Sequence, residues 1–330
     1  MHALVTGAGG FLGQYITRQL VARGDKVRAL SRGNYPYLTE LGVESVQGDI
    51  QDASAVERAC QSVDAVFHVA AIAGIWGKWQ TYYGINVLGT RNVIAACRKN
   101  SVPRLIYTSS PSVTFAAEDQ CGIDESAPYP KRWLAHYPHT KALAEQDVLA
   151  ANGDKVRTCA LRPHLIWGPG DQHLIPRLLA RARAGQLRRV GAGKNLIDAV
   201  YVENAAAAHL LAADKLQAGS PVCGKAYFIT NGEPVNCWDW INEILSLAGV
   251  PRATKSVSFR AAYAAGAVLE GIWTLIGRTD EPRMTRFLAA QLATSHHFNI
   301  TAARRDLGYE PIISMAEGMQ RLGGALESRL

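Results

Sequence analysis

The sequence lacks the patterns that build metal centres, disulfide frameworks or membrane spans. Its six cysteines (Cys60, Cys97, Cys121, Cys159, Cys223, Cys237) stand far apart, with no C-x-x-C and no Cys/His spacing suited to zinc. No metal is expected, and several of the thiols fall in apolar periodic segments where cysteine acts as a small buried hydrophobe. No apolar run approaches the ~20 residues of a transmembrane helix. The most apolar late stretch, AAYAAGAVLEGIWTLIG from Ala261, is broken by Glu270 and three glycines. It reads as a buried helix, or as one touching an apolar ligand, a membrane surface or a pathway enzyme. Lys and Arg total 35 against 28 Asp and Glu, a net charge of +7, but they are scattered. Without a dense basic run there is no case for nucleic acid. No 20–50-residue repeat or low-complexity tract appears. The first strand signal begins almost at Met1, so no leader is expected and a cytoplasmic location is.

What is present describes an ordinary globular protein: 330 residues, 48% hydrophobic and 19% charged. That length can bury one large core or two smaller ones. Short β-rich runs, HALVT (2–6), KVRALS (26–31), VESVQ (43–47), DAVFHVA (64–70), RLIYTSS (104–110) and VRTCALR (156–162), alternate with helical segments. Strands buried on both faces and separated by helices predict a doubly wound parallel α/β sheet. After Pro163 the rhythm changes to loops, a basic helix at LIPRLLARARAGQL and mainly helical segments, with AYFITNG (226–232) as one further core strand. A nucleotide-binding domain over 1–165 is therefore expected. A smaller, mainly helical region (166–196 and 232–330) should bind substrate, with about 197–231 returning to the first domain.

VTGAGGFLG (5–13) follows the first strand and opens a helix. Gly7, Gly10 and Gly13 suit a tight turn, backbone approach to a pyrophosphate and close helix–sheet packing, and the free N–H groups from Phe11 and Leu12 attract phosphate. The spacing is G-x-x-G-x-x-G, not the commoner G-x-G-x-x-G. At the end of the second strand, where an acid would bond a ribose 2′-hydroxyl, the sequence has Ser31-Arg32. A guanidinium there suits a 2′-phosphate, so NADP(H) is expected over NAD. In GDI (48–50), Asp49 could meet the adenine amino group, with Ile50 beside it, or could cap the next helix. In AHYPHTKALAEQ (135–146), Tyr137 and Lys141 lie four residues apart, on one face of a helix that Pro138 can open. An ammonium beside a phenol can bring its proton transfer within reach of neutral pH.

The motifs in their order now identify a resemblance covering nearly the whole chain. The glycine loop, GDI, HVAA (68–71), NVLGTRNV (86–93), YTSS, the Y-x-x-x-K pair, LRPHLIWGPGD (161–171), YVEN (201–204) and DLGYEP (306–311) resemble the extended short-chain dehydrogenase/reductases. The closest likeness is to the 3β-hydroxysteroid dehydrogenase branch, and within it to the bacterial 2-alkyl-3-oxoalkanoate reductases of long-chain olefin biosynthesis. The resemblance implies that Tyr137 is the general acid/base and that Lys141 contacts the nicotinamide ribose and lowers the tyrosine pKa. It implies Ser110 as the carbonyl-orienting serine, with Ser109 and Ser112 near enough to compete. It brings Ala70 and Ala71 beside the cofactor and Pro163 beside the nicotinamide, and it makes Asn86 a packing residue.

The resemblance further implies reversible, NADPH-dependent reduction of a β-keto acid to the 3-hydroxy acid. It also implies a homodimer paired through helices near Gly89–Lys99 and Tyr137–Ala150. The aromatic GIWGKWQTYYG (74–84) could wall an apolar pocket or merely pack locally. His164, His296 and His297 have no matched partners and read as structural or exposed. Three alternatives stand: a steroid-type dehydrogenase, a nucleotide-sugar epimerase or dehydratase, and a non-catalytic NADP-sensing protein. The missing acid after strand two argues against the epimerase, and the Tyr/Lys pair against the sensor.

Overall fold

The computed structural model describes residues 1–328; residues 329 and 330, the end of the range expected for the C-terminal region, lie outside the described residues. The strands are β1 His2–Thr6, β2 Lys26–Ser31, β3 Glu44–Gln47, β4 Ala65–His68, β5 Arg104–Thr108, β6 Gln120–Ile123, β7 Arg157–Pro163, β8 Ile166–Trp167, β9 Arg189–Val190, β10 Leu196–Ile197, β11 Val200–Tyr201, β12 Lys225–Ile229, β13 Val235–Asn236, β14 Ser256–Val257 and β15 His296–Phe298. The α-helices are α1 Phe11–Ala22, α2 Pro36–Glu40, α3 Ala53–Ala59, α4 Trp79–Tyr82, α5 Gly89–Lys99, α6 His136–Ala150, α7 Leu174–Arg183, α8 Val202–Lys215, α9 Cys237–Leu247, α10 Phe259–Leu275, α11 Arg286–Ala293 and α12 Met315–Glu327.

Seven parallel strands form the central sheet in the order β12-β7-β5-β4-β1-β2-β3. The strand order reverses between β1 and β4, the switch point outside which such sheets bind ligands. The inner strands are apolar runs because both sheet faces are covered there, whereas the edge strand β3 is polar and mostly exposed. Ala3, Val5, Ala29, Phe67, Ile106 and Leu161 pack in one core, while Leu4, Leu30, Val66, Leu105 and Ala160 pack in another. On the first face α8 lies against α1, and β12 extends the edge beside β7 in parallel register.

A second, four-stranded sheet (β13-β10-β15-β6) draws short strands from distant parts of the chain. It stands beyond the carboxyl ends of the central strands, beside a third core built on Trp167, Tyr201, Trp238 and Trp240. His164 links the layers: its N–H donates to Ile229 O of β12, and its carbonyl accepts from Val200.

Candidate active site

The glycine loop forms because β1 must turn sharply into α1. Gly7 sits at φ +73, a left-handed conformation that L side chains rarely adopt, and its carbonyl accepts from Gly10 N at 2.9 Å. A Cβ at Gly13 would lie 2.2 Å from the Gly7 carbonyl oxygen, and one at Gly7 would lie 2.8 Å from the Ala70 backbone. Ala70 N donates to Thr6 Oγ1 at 3.2 Å, so the loop after β4 is held against the cradle. Ala71, next along, is exposed. Gly10 caps α1 without a side-chain acceptor, which leaves the first N–H groups of the helix, from Phe11 to Gly13, free to meet an anion. A dinucleotide pyrophosphate fits this geometry.

At the adenosine end, Ser31 Oγ donates to Gly33 O at 3.0 Å and the Arg32 side chain is exposed, without an ion pair among the described residues. Asp49 accepts from Gln51 N at 2.9 Å and closes a turn, whereas the cap of α3 is Asp52, which accepts from Ser54 N and Ala55 N. The capping alternative for Asp49 therefore passes to Asp52. Ile50 is buried and packs on Gly89. Sequence reasoning missed Tyr35 and Tyr37. A Cβ at Gly9 would strike the Tyr35 ring at 2.1 Å, and the Tyr37 hydroxyl donates to Ala8 O at 2.5 Å. The segment after β2 thus folds over the glycine loop; two tyrosines flanking a proline were the available signal.

α6 starts at His136 with Pro138 in its first turn, so Tyr137 is its second residue and Lys141 follows one turn later. Ser110 caps the short 3₁₀ turn Pro111–Thr114, accepting from Ser112 N at 3.2 Å, and its Oγ meets Ser112 Oγ at 2.9 Å. Burial raises the Tyr137 phenol above its ordinary value, and the facing Ser110 hydroxyl opposes that by bonding the phenolate. Ser109 is different: its hydroxyl is buried and has no partner among the described residues.

Lys141 is 2% exposed, donates to Thr108 O at 2.5 Å and lies 4.1 Å from the Tyr107 ring centroid. Burial pushes its ammonium down to about 7, with Glu145 one turn on opposing the shift. The expected lowering of the tyrosine pKa by Lys141 is not what the geometry gives. The ammonium is engaged by β5, and burial dominates the phenol.

The helix carrying this pair is pinned from both sides. Asn86, within the π-helical turn Tyr83–Leu88, accepts from Ile72 N at 2.9 Å and donates to Thr140 Oγ1 at 3.0 Å, linking the cofactor-side loop to α6. On the other face, Glu145 accepts twice from Arg162 of β7, at 2.9 and 2.7 Å, and once from the Tyr129 hydroxyl at 2.7 Å. Pro163 ends β7 one residue later, buried.

Phe115, Ala135, Phe287 and Ala290 form a small buried apolar cluster, with Ile75, Ala117 and Leu134 packed against it. Leu134 and Ala135 lead directly to Tyr137, and Phe115 directly follows the turn that Ser110 caps, so this cluster borders the hydroxyl pair. The aromatic loop divides. Ile75 joins the cluster, and Tyr82 is buried with its hydroxyl on Trp76 O at 2.9 Å. Trp79 packs on Tyr83 and on two histidines of α6, His136 at 5.4 Å and His139 at 4.9 Å.

His164 and His296 are buried, their rings 4.9 Å apart, and His164 Nδ1 bonds the Asp198 carbonyl. Asp198, whose carboxyl burial pushes up to about 6, accepts from Phe298 N at 2.8 Å. These groups tie β15 to the end of β7. His297, between them, is half-buried.

A doubly wound parallel sheet with a glycine cradle at its switch point and a Tyr/Lys/Ser group at the ends of β5 and α6 defines a dinucleotide-fold protein with a polar site against an apolar wall. The model of the 3-beta hydroxysteroid dehydrogenase/isomerase family matches residues 4–259, and the chain belongs to that family. It is 51% identical to a 2-alkyl-3-oxoalkanoate reductase of Shewanella oneidensis, over 98% of this chain and 86% of that one. It is also 51% identical to the 2-alkyl-3-oxoalkanoate reductase of Stenotrophomonas maltophilia, over 98% of both chains. Among solved structures, that of gox2253 superposes with a TM-score of 0.81 at 26% identity, covering 99% of this chain and 98% of the other.

Proposed function

We propose that this protein is an NADPH-dependent oxidoreductase that interconverts 2-alkyl-3-oxoalkanoates and 2-alkyl-3-hydroxyalkanoates. The reading rests on one observation above the others: the turn capped by Ser110 and the start of α6 carrying Tyr137 both adjoin, in the chain, the apolar cluster of Phe115, Ala135 and Phe287. A keto group flanked by hydrocarbon suits that juxtaposition. The two bacterial relatives at 51% identity bear the name of this reaction.

Gly7, Gly10, Phe11, Leu12 and Gly13 would hold the pyrophosphate, with Ala70, Ala71 and Pro163 beside the nicotinamide half. Asp49 and Ile50 would border the adenine. The unpaired Arg32, with Ser31, would take the 2′-phosphate, which favours NADP(H) over NAD. When bound, the dinucleotide supplies the hydride. Ser110 donates to the carbonyl oxygen and stabilises the negative charge that develops there. Tyr137, held protonated by burial, gives its proton to that oxygen in reduction and takes it back in oxidation. Lys141, fixed to the Thr108 carbonyl, would contact the nicotinamide ribose.

Residues 166–196 and 232–328 would cover the substrate, while 197–231 belong with the dinucleotide domain. The protein would act in the cytoplasm as a homodimer paired through α5 and α6. No helix among the described residues is long and apolar enough to cross a membrane.

The test is a panel of alcohols offered with NADP⁺: long-chain 2-alkyl-3-hydroxy acids, a 3β-hydroxysteroid and a nucleotide sugar. Turnover of the hydroxy acids is expected. Inert hydroxy acids with an active steroid or nucleotide sugar would reassign the substrate.

A further inference from the structure

The two tyrosines that fold over the glycine loop do different things there. Tyr37 is the fastener: its hydroxyl donates to Ala8 O at 2.5 Å, and the Arg18 guanidinium of α1 lies over its ring at 5.4 Å. Tyr35 meets Tyr37 edge to face, with 6.4 Å between ring centroids. Unlike that of Tyr37, its hydroxyl has no partner among the described residues. The Tyr35 ring passes between two glycines distant in sequence. A Cβ on Gly9 would lie 2.1 Å from its ring carbons, and one on Gly33 would lie 3.3 Å from its hydroxyl oxygen. Neither glycine has a left-handed backbone, so at both positions the missing side chain makes room for the ring. Gly9 is buried, while Gly10, next along, is exposed.

These glycines belong to the two turns that would hold the two phosphate-bearing ends of one nucleoside. Gly9 stands in the loop that leads to the free N–H groups of Phe11 to Gly13, and Gly33 directly follows Ser31 and Arg32. The second turn is fixed by its own bonds. Ser31 Oγ donates to Gly33 O at 3.0 Å, and Gln47 Nε2 donates to Arg32 O at 3.0 Å. In a 2′-phosphorylated dinucleotide, the 2′-phosphate and the pyrophosphate hang on the same ribose. A ring that spans the turns for both lies along that ribose, with its free hydroxyl beside Gly33. A phenol is a donor, and its bonds to an ionised phosphate oxygen belong to the stronger class.

We propose that Tyr35 is a second determinant of dinucleotide choice, its ring walling the adenosine ribose and its hydroxyl donating to the 2′-phosphate beside Arg32. The inference rests on the NADP(H) reading, and one experiment separates the two. It is calorimetric titration of the unmodified protein and of Tyr35→Phe with NADPH, NADH and adenosine 2′,5′-bisphosphate. Phenylalanine keeps the ring between the glycines, so the Tm should hold and only the hydroxyl is lost. NADPH and adenosine 2′,5′-bisphosphate should each bind ~10-fold more weakly to the variant, with NADH changed by less than about twofold.

An unmodified protein that prefers NADPH, beside a Tyr35→Phe variant that keeps the whole preference, overturns the role of Tyr35 and leaves the NADP(H) reading standing. Equal losses on NADPH and NADH overturn it too, because the hydroxyl would then serve a part that both dinucleotides share. An unmodified protein that binds the two equally overturns the NADP(H) reading, and the role of Tyr35 falls with it.

Discussion

Lys141 sits one helical turn beyond Tyr137, but its ammonium is spent on the Thr108 carbonyl at 2.5 Å and on the Tyr107 ring beneath it. This has a consequence for stability. A lysine whose folded value is about 7 binds fewer protons between pH 7 and its unfolded value near 10.5 than the unfolded chain does. Its burial therefore destabilises the fold fully below pH 7, and the penalty fades as pH rises toward 10.5. Lys141→Met should raise the urea midpoint relative to the unmodified protein at pH 6 and lose most of that advantage by pH 10. The difference is on the order of a few kcal/mol at most, softened by Glu145. A pH-independent difference would show that the ammonium is not strained by burial.

The serines separate by burial. Ser110→Ala removes a hydroxyl aimed at Tyr137, and turnover should fall by ~10²-fold with little change in dinucleotide binding. Ser109→Ala removes a buried hydroxyl that has no partner among the described residues, so turnover should stay within about twofold. Equal losses in steady-state kinetics would exchange their roles.

Arg32 governs the choice of dinucleotide on this reading. Arg32→Ala should cost ~1.5–3 kcal/mol of NADPH binding, about 10- to 150-fold, and leave NADH nearly unchanged. Calorimetric titration of both cofactors decides it; an unmodified protein that binds the two equally would contradict the assignment.

Glu145 and Arg162 form a buried ion pair, 0% and 3% exposed, that fastens α6 to β7. Glu145→Ala leaves a guanidinium uncompensated and should destabilise the fold by ~3–5 kcal/mol. A Tm drop of only a degree or two would mean that water or another group replaces the carboxylate.

The central sheet was legible because its inner strands are apolar runs buried on both faces, with helices such as α1 and α5 falling between them. The glycine loop and the Tyr137/Lys141 spacing are local signals, and local signals survive in a sequence. The second sheet left no such trace, since two- and three-residue strands such as β10 and β15 are too short for a period and meet only through tertiary contacts. The Tyr129–Glu145–Arg162 network escaped for the same reason, its members being 16 and 17 residues apart in sequence. The fate of the Lys141 ammonium was invisible too. It depends on a backbone carbonyl at Thr108, which no side-chain pattern encodes.

The central claim is that Tyr137 moves the proton. The most direct test is the rate of NADP⁺ reduction with a long-chain 2-alkyl-3-hydroxy acid, measured for the unmodified protein and for Tyr137→Phe. The phenyl ring keeps the packing and loses the transferable proton, so turnover should fall by ~10²-fold or more while dinucleotide affinity holds. A Tyr137→Phe protein that turns over at the unmodified rate would contradict the account.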